Sequence, residues 1–269
     1  MPGLSSDLPP TDNWFVPGVP AEPVLACYGR AAGNEIRSGK FGSPESSAAL
    51  VANAFGFFLE RPWDLPPLPC GEVRNWSARS VDLEVPLAFP WRGGRRPWID
   101  VLIETASEVI GIESKRYEPY RAAKAPQLSN TYWRQVWGER MAGYESIRDQ
   151  LKEVRSDSPP VYRHLDGGQL VKHALGLRTS VHRDAKLRGK RPVLCYVYAE
   201  PLKWSEGHPL DARSFENHRR EIASFAAAVA GNEVEFCACS YAEVLSVWST
   251  DTRGDIRAHA LNISGRFMP

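Results

Sequence analysis

Two acidic residues and a lysine lie in strand-like segments at a spacing that could build a metal site. Asp100 interrupts an apolar run from Trp98 to Ile103, and after twelve further residues Glu113-Ser114-Lys115 ends a second run that begins at Val109. An ionised carboxylate inside an apolar strand is costly unless it is paired or binds a metal ion. Since side chains alternate along a strand, Glu113 and Lys115 lie on the same face.

A hairpin that turns between Thr105 and Glu108 would bring Asp100 close to Glu113 and Lys115. The predicted site then contains two carboxylates and one ammonium group. Mg²⁺ commonly uses one or two protein carboxylates and completes its coordination with water and substrate phosphate. The lysine can orient or help to deprotonate an attacking water, or neutralise charge that develops on a phosphate. The residue set predicts metal-assisted phosphoryl chemistry, with Mg²⁺ as cofactor and Mn²⁺ as its substitute.

The surrounding strand patterns predict an α/β fold. Three runs with short connections suit an antiparallel meander, namely residues 81–87, 98–103 and 109–115. A strand–helix–strand pattern follows and predicts a parallel extension of the same sheet, over residues 193–198, 213–229 and 234–239. We therefore expect a central mixed β-sheet flanked by helices.

Further helices are predicted where apolar residues recur every three or four positions. They cover residues 21–37, 43–59, 132–154, 167–177 and 241–248. The second of them is expected to begin at Ser43-Pro44-Glu45, because serine caps a helix, proline fits its first position and glutamate favours the positive end of its dipole. Residues 1–20 are proline-rich without periodicity and predict a mobile arm, and residues 21–269 predict a single domain.

Charge and apolar runs limit the function classes. The chain of 269 residues has 33 basic and 32 acidic residues, a net charge of +1, so any polyanionic partner must be recognised by a local patch. The longest nearly apolar run, residues 223–231, is far shorter than the roughly 18 residues that span a membrane. The start of the chain lacks the charged region of a secretory signal. We expect neither a membrane nor a secreted protein.

The five cysteines are an odd number and include no Cys-x-x-Cys pair. Cys237 and Cys239 share one face of a strand-like run, where core packing is the expected role. A zinc or iron–sulfur site would need more ligands than these spacings offer. A reducing, cytoplasmic compartment is the resulting expectation.

The pattern Asp100 followed by Glu113-x-Lys115 resembles the PD-(D/E)xK nuclease superfamily, which includes restriction endonucleases. The resemblance covers about residues 21–200. Gln169-x-x-x-His173 resembles the Gln-x-x-x-Tyr helix of the RecB-like branch, with histidine in place of tyrosine. Proline is not directly before Asp100, because Trp98 and Ile99 follow Pro97. The sequences Ser46-Ser47-Ala48-Ala49-Leu50, with Asn53 and Phe55, and Tyr198-Ala199-Glu200-Pro201 resemble a bacterial restriction-endonuclease-like subgroup.

The resemblance implies a restriction-endonuclease-like core and a metal-dependent nuclease that hydrolyses phosphodiester bonds, in DNA above all. It implies that Asp100, Glu113 and the Ser114 carbonyl bind the metal and that Lys115 acts on the attacking water. The fold's first helix should supply a glutamate, for which Glu35 and Glu45 both remain open. Gln169 is either a hydrogen-bonding site residue or part of a polar helix face.

A basic stretch between the Gln169 helix and the next strand is the expected nucleic-acid contact. It contains six basic residues against one acid, Asp184, a local charge of +5: Arg178, Arg183, Lys186, Arg188, Lys190 and Arg191. The alternative function is a catalytically silent nucleic-acid-binding module on the same fold. A homodimer is compatible with either.

Overall fold

The computed structural model describes residues 13–71, 76–92, 96–121, 128–134, 137–153 and 161–269. These residues form five strands: β1 (Ser80–Pro86), β2 (Trp98–Glu104), β3 (Glu108–Lys115), β4 (Arg191–Tyr198) and β5 (Glu235–Ser240). They also form seven helices: α1 (Ala21–Arg30), α2 (Ser47–Gly56), α3 (Ala142–Glu153), α4 (Gly167–Arg183), α5 (Ala212–Val229), α6 (Tyr241–Ser249) and α7 (Gly254–Phe267). None of the helices in this part of the chain is long and apolar enough to cross a membrane.

The five strands form one mixed sheet in the order β1-β2-β3-β4-β5. The pairs β1–β2 and β2–β3 are antiparallel, whereas β3–β4 and β4–β5 are parallel. The predicted meander with a parallel extension is therefore confirmed. Because β3, β4 and β5 run in the same direction, their carboxyl ends meet at one edge of the sheet.

Helices cover both faces of the sheet. We call the face packed against α1, α2, α6 and α7 the α2 face, and its core includes Phe55, Phe58 and Trp248. The opposite face, which we call the α4 face, packs against α3, α4 and α5, with Tyr144, Leu175 and Phe225 in its core. β3 is buried along nearly its whole length, as a central strand covered on both faces should be.

The chain near the start departs from the predictions. Residues 13–20, predicted as part of the arm, pack on α2: Val16 and Val19 are buried, and the Val16 amide donates to Asn53 Oδ1 at 2.7 Å. The first helix ends at Arg30 rather than at residue 37. Residues 1–12 of the predicted arm lie outside the described residues.

Three further helix predictions were wrong in their bounds, and one of these helices, α4, continues to Arg183 instead of ending at residue 177. α2 begins at Ser47, not at Ser43, because the Ser46 hydroxyl accepts the Ala49 amide at 3.0 Å and so caps the helix three residues later. The predicted helix over residues 132–154 is a helix only from Ala142. Gly138, at φ +86°, stands before it in a conformation that ends regular helix.

Close packing of α4 against the first strands fixes the height of this helix over the sheet. A Cβ on Gly176 would lie 2.7 Å from Leu87 Cβ, an atom that cannot move without its backbone. We predict that Gly176→Ala lowers the free energy of unfolding by about 1–3 kcal/mol, in spite of the better helix propensity of alanine. Urea unfolding measures this change.

The matched control is Gly265→Ala in α7, where nothing lies within 4 Å of the added Cβ. This variant should be neutral or slightly stabilised. Equal effects of the two substitutions would show that the contact with Leu87 does not limit the packing of α4.

Candidate active site

The polar end of β3 delivers the first two site residues. Glu113 and Lys115 lie on the α4 face, and their side chains are 1% and 15% exposed. Lys115 Nζ donates to Glu113 Oε1 in an ion pair. The predicted common orientation of these residues is therefore confirmed, and their charges meet directly rather than in solvent.

Asp100 reaches the same end of the sheet from β2. The β2–β3 register runs from Glu104↔Val109 to Val101↔Ile112 and stops before Asp100. Beyond this point Asp100 Oδ2 accepts the Ser114 amide at 2.6 Å, so that the carboxylate takes the place of a main-chain partner. Glu113 raises the pKa of Asp100, and Glu113 and Asp100 both raise the pKa of Lys115. The three groups therefore form one electrostatic cluster.

A change of face in β1 and β2 makes room for Asp100. Leu83 and its partner Val101 lie on the α2 face, but Val85 and its partner Ile99 pack on the α4 face. The residues between them are Glu84, at φ +52°, and Asp100. The reversal places these two acidic residues opposite each other across β1 and β2.

The apolar–polar alternation of β1 would leave Glu84 facing solvent, but the structure does not. Glu84 is half-buried, and burial, Glu113 and Glu35 together raise its pKa to about 7, against an opposing effect of Lys115. A glutamate with positive φ is uncommon outside strained or functional backbone. The alternating pattern of β1 gives no sign of this kink.

Helix α4 supplies the residues above β3. Gln169 Oε1 accepts a hydrogen bond from Lys115 Nζ at 2.9 Å. His173 Nδ1 lies 3.0 Å from Glu113 Oε2, although neither atom makes a hydrogen bond of satisfactory geometry. The residue after the next turn, Leu177, packs over Gly111.

This alignment follows from the repeats of the two elements. Four residues advance a helix by about 6 Å, and two residues advance a strand by about 6.6 Å. Positions four apart on α4 therefore meet positions two apart on β3, and the Gln-x-x-x-His spacing matches the Glu-x-Lys spacing. Gln169 therefore contacts Lys115 at the candidate site, and His173 lies buried beside Glu113.

The three charged groups titrate as a unit. Burial raises the pKa of Asp100, and Glu113 raises it further. Burial would also raise the pKa of Glu113, but Lys115 and His173 outweigh this effect and lower it to about 2. Burial acts to lower the pKa of Lys115, yet Glu113 and Asp100 overcome it and raise the pKa above its usual value. Lys115 is therefore an ammonium ion at neutral pH.

The two glutamates that the sequence left open occupy different places. Glu35 is close enough to Glu84 to raise the pKa of Glu84, which places Glu35 at the border of the acidic cluster that Glu84, Asp100 and Glu113 form. Glu45 is held by Arg121 at 2.6 Å and by the Ser205 hydroxyl at 2.7 Å. The structure thus brings Glu35, and not Glu45, to the acidic cluster.

Ser114 can contribute only through its main chain. Its amide donates to Asp100, and its hydroxyl makes a 2.7 Å hydrogen bond with Tyr241 on the α2 face. The carbonyl oxygen is the ligand atom that the resemblance implies for this residue.

The basic stretch lies at the other end of the sheet. Arg191 opens β4 and is paired with Glu108, the first residue of β3, whereas Lys115 is the last; the separation is about 23 Å at the rise of a strand. Lys186 and Arg188 are exposed, but the other members make protein contacts: Arg178 with Glu233, Arg183 with the Phe89 carbonyl, Lys190 with Glu104. Contact of this stretch with nucleic acid stays a prediction.

A cavity of about 240 Å³ adjoins the site instead. Lys115 and Gln169 form part of its wall, and three further groups that can carry positive charge also line it: Arg121, Arg163 and His164. Two acids, Glu118 and Asp166, line the cavity as well, so its wall carries charges of both signs. Arg163 and His164 precede the Gln169 helix in the stretch that resembles the RecB-like branch, but that resemblance does not assign them a place in a cavity.

The comparisons with known proteins identify no relative. No family model, curated protein or solved structure matches the chain significantly.

The raised pKa of Glu84 gives a pH prediction. A carboxyl group with a raised pKa stabilises the fold below its unfolded pKa, near 4.5, and this contribution is lost as the pH rises through about 7. Glu84→Gln removes the group, so in EDTA the variant should gain about 1–2 kcal/mol of unfolding free energy relative to wild type between pH 5 and pH 8.5. Urea unfolding at the two pH values measures the gain.

Asp82→Asn is the matched control, since Asp82 is an exposed acid of the same strand. Its effect should be the same at both pH values. A Glu84→Gln effect that is equally independent of pH would contradict the raised pKa.

Proposed function

We propose that the protein is a metal-dependent nuclease of restriction-endonuclease-like fold that hydrolyses phosphodiester bonds, in DNA above all. The observation that carries the proposal is the convergence of Asp100, Glu113 and Lys115 at one end of the sheet, with Gln169 bonded to the lysine. The element order supports it as well, since a helix, a three-strand meander, a helix and a parallel strand follow one another as in the PD-(D/E)xK core.

The donor set fits a divalent metal ion. Glu113 Oε2 is buried with His173 Nδ1 3.0 Å away in poor hydrogen-bond geometry, so the oxygen keeps a lone pair for a metal ion. Asp100 presents a second carboxylate, whose pKa burial and Glu113 raise and a bound cation would lower again. Oxygen ligands of this kind suit Mg²⁺ or Mn²⁺ rather than a soft metal ion. The Ser114 carbonyl would be a further ligand.

When bound, the ion would neutralise phosphate charge and lower the pKa of a water molecule. Lys115 then has a defined role. As an ammonium ion it cannot accept a proton, so it orients the water or a phosphate oxygen through hydrogen bonds that Glu113 and Gln169 keep in place. Of the two roles first expected for Lys115, orienting the attacking water is therefore favoured over deprotonating it.

The cavity beside Lys115 supports a polyanionic substrate. Arg163 and Arg121 both line it and are exposed, and Arg121 also pairs with Glu45. Guanidinium groups bind phosphate oxygens through paired hydrogen bonds. A strand whose scissile phosphate lies at Lys115 could therefore place a neighbouring phosphate at these arginines.

Asp100→Asn tests catalysis without disturbing the fold. The asparagine carbonyl can still accept a hydrogen bond from the Ser114 amide. Because the pKa of Asp100 is raised, the fold does not depend on a negative charge at this position. We predict cleavage of plasmid and linear DNA by wild type with Mg²⁺ or Mn²⁺, and a loss of at least about 100-fold in the variant. The melting temperature should remain nearly unchanged.

Asp82→Asn again serves as the control and should cleave as wild type does. Lys115→Ala is a less suitable variant, because it leaves Glu113 buried without its partner and should cost stability as well as activity. Cleavage by purified Asp100→Asn at the wild-type rate would refute the proposal. Salt-dependent DNA retention without any cleavage by wild type would favour the silent binding module instead.

Metal binding can be tested independently of cleavage. A ligand that binds only the folded state stabilises it, by about 2.7 kcal/mol at one hundred times its dissociation constant. We predict that Mn²⁺ raises the melting temperature of wild type and of Asp82→Asn, but not that of Asp100→Asn. An equal rise in all three proteins would place the ion elsewhere.

A further inference from the structure

Four of the five cysteines meet on the α2 face of the sheet, opposite to Glu113. Cys195 of β4 is the register partner of Cys237 in β5, and Cys239 follows two residues later on the same face. Cys70 reaches them from the segment that precedes β1. Three separate parts of the chain thus deliver a thiol to one place.

Three of the sulfur atoms are mutually close enough to share one metal ion, and the fourth, that of Cys237, contacts Cys70. Cys70 Sγ lies 3.4 Å from Cys195 Sγ and 3.3 Å from Cys237 Sγ. The sulfur atoms of Cys70, Cys195 and Cys239 all lie within 4.8 Å of one another. Thiolates at about 2.3 Å from a tetrahedral Zn²⁺ ion are about 3.8 Å apart. A four-iron cluster would hold its ligand sulfurs much farther apart.

The backbone around Cys70 is shaped for this contact. Gly71 has φ +79°, so the chain turns away directly after the cysteine. A Cβ at Gly71 would lie 3.3 Å from Cys237 Sγ, which leaves little space for any other residue. Cys195 and Cys239 are buried, whereas Cys70 and Cys237 are half-buried at the edge strand, and this side gives an ion a way in.

We propose that Cys70, Cys195, Cys237 and Cys239 bind one Zn²⁺ ion, which ties the segment before β1 to the edge strand β5. Soft thiolate ligands select Zn²⁺ over Mg²⁺, so this site and the carboxylate site would hold different metals. Each thiol loses its proton as it becomes a ligand, and affinity therefore falls at low pH.

The close approach of Cys70 and Cys237 could instead serve a disulfide. Oxidation to a Cys70–Cys237 disulfide would need an external oxidant and would leave Cys195 and Cys239 without a role.

The experiment measures bound metal in the purified, reduced full-length chain. Elemental analysis should find one equivalent of zinc, and titration with Co²⁺ should give the visible absorption of tetrahedral thiolate coordination. Cys70 is half-buried, so the fold should tolerate Cys70→Ser. The variant should weaken Co²⁺ binding at least about 100-fold, because loss of a ligand costs more than loss of a hydrogen-bond partner of a ligand, whose effect reaches about 100-fold. Cys237→Ser should act in the same way.

Cys27→Ser is the matched control, because Cys27 lies outside the cluster beside Arg30. It should keep the full metal content. The proposal would be overturned by wild type that is folded, free of zinc and without cobalt absorption, by a Cys70–Cys237 disulfide in the protein as isolated, or by equal loss of metal in Cys27→Ser. Asp100→Asn should keep its zinc, so failure of the nuclease proposal would not affect this one.

Discussion

The buried ammonium of Lys115 is the interaction on which the candidate site depends. The buried carboxylate of Glu113 at the end of β3 could not stay ionised there without it, since the desolvation of a buried charge costs several kcal/mol. Glu113 and Gln169 hold the lysine from the strand and from α4, so sheet and helix must keep a fixed spacing. The close contact of Gly176 with Leu87 maintains that spacing. Packing far from any substrate therefore determines the geometry of the charges.

The sheet adds a second constraint through its strand directions. Parallel pairing of β3 with β4 leaves the carboxyl end of β3 open at the sheet edge, where the first turns of α4 and the cavity lie. The change of face at Glu84 and Asp100 brings two more acids to the same end. On the opposite face the central strands are apolar except near β5, where the cysteines meet. One sheet thus separates a hard oxygen site from a soft sulfur site.

Much of this arrangement could be predicted from the sequence. Alternation and short connections indicate the meander, and a two-residue spacing places Glu113 and Lys115 together because strands repeat every two residues. The role of Glu84 could not be predicted, because a positive φ in a glutamate leaves no trace in the pattern. The cysteine site was missed since its ligands are far apart in the chain. The α7 helix was overlooked although Ile256, Ala260, Ile263 and Phe267 have helical spacing.

The most direct measurement of the central claim is a crystal structure of the full chain soaked in Mn²⁺, with anomalous scattering used to locate the ion. The proposed site requires one strong peak in contact with Asp100 and Glu113 Oε2, at about 2.2 Å from their oxygens, and next to Lys115 Nζ. A map at saturating Mn²⁺ with no peak there, or with Asp100 and Glu113 directed away from each other, would contradict it.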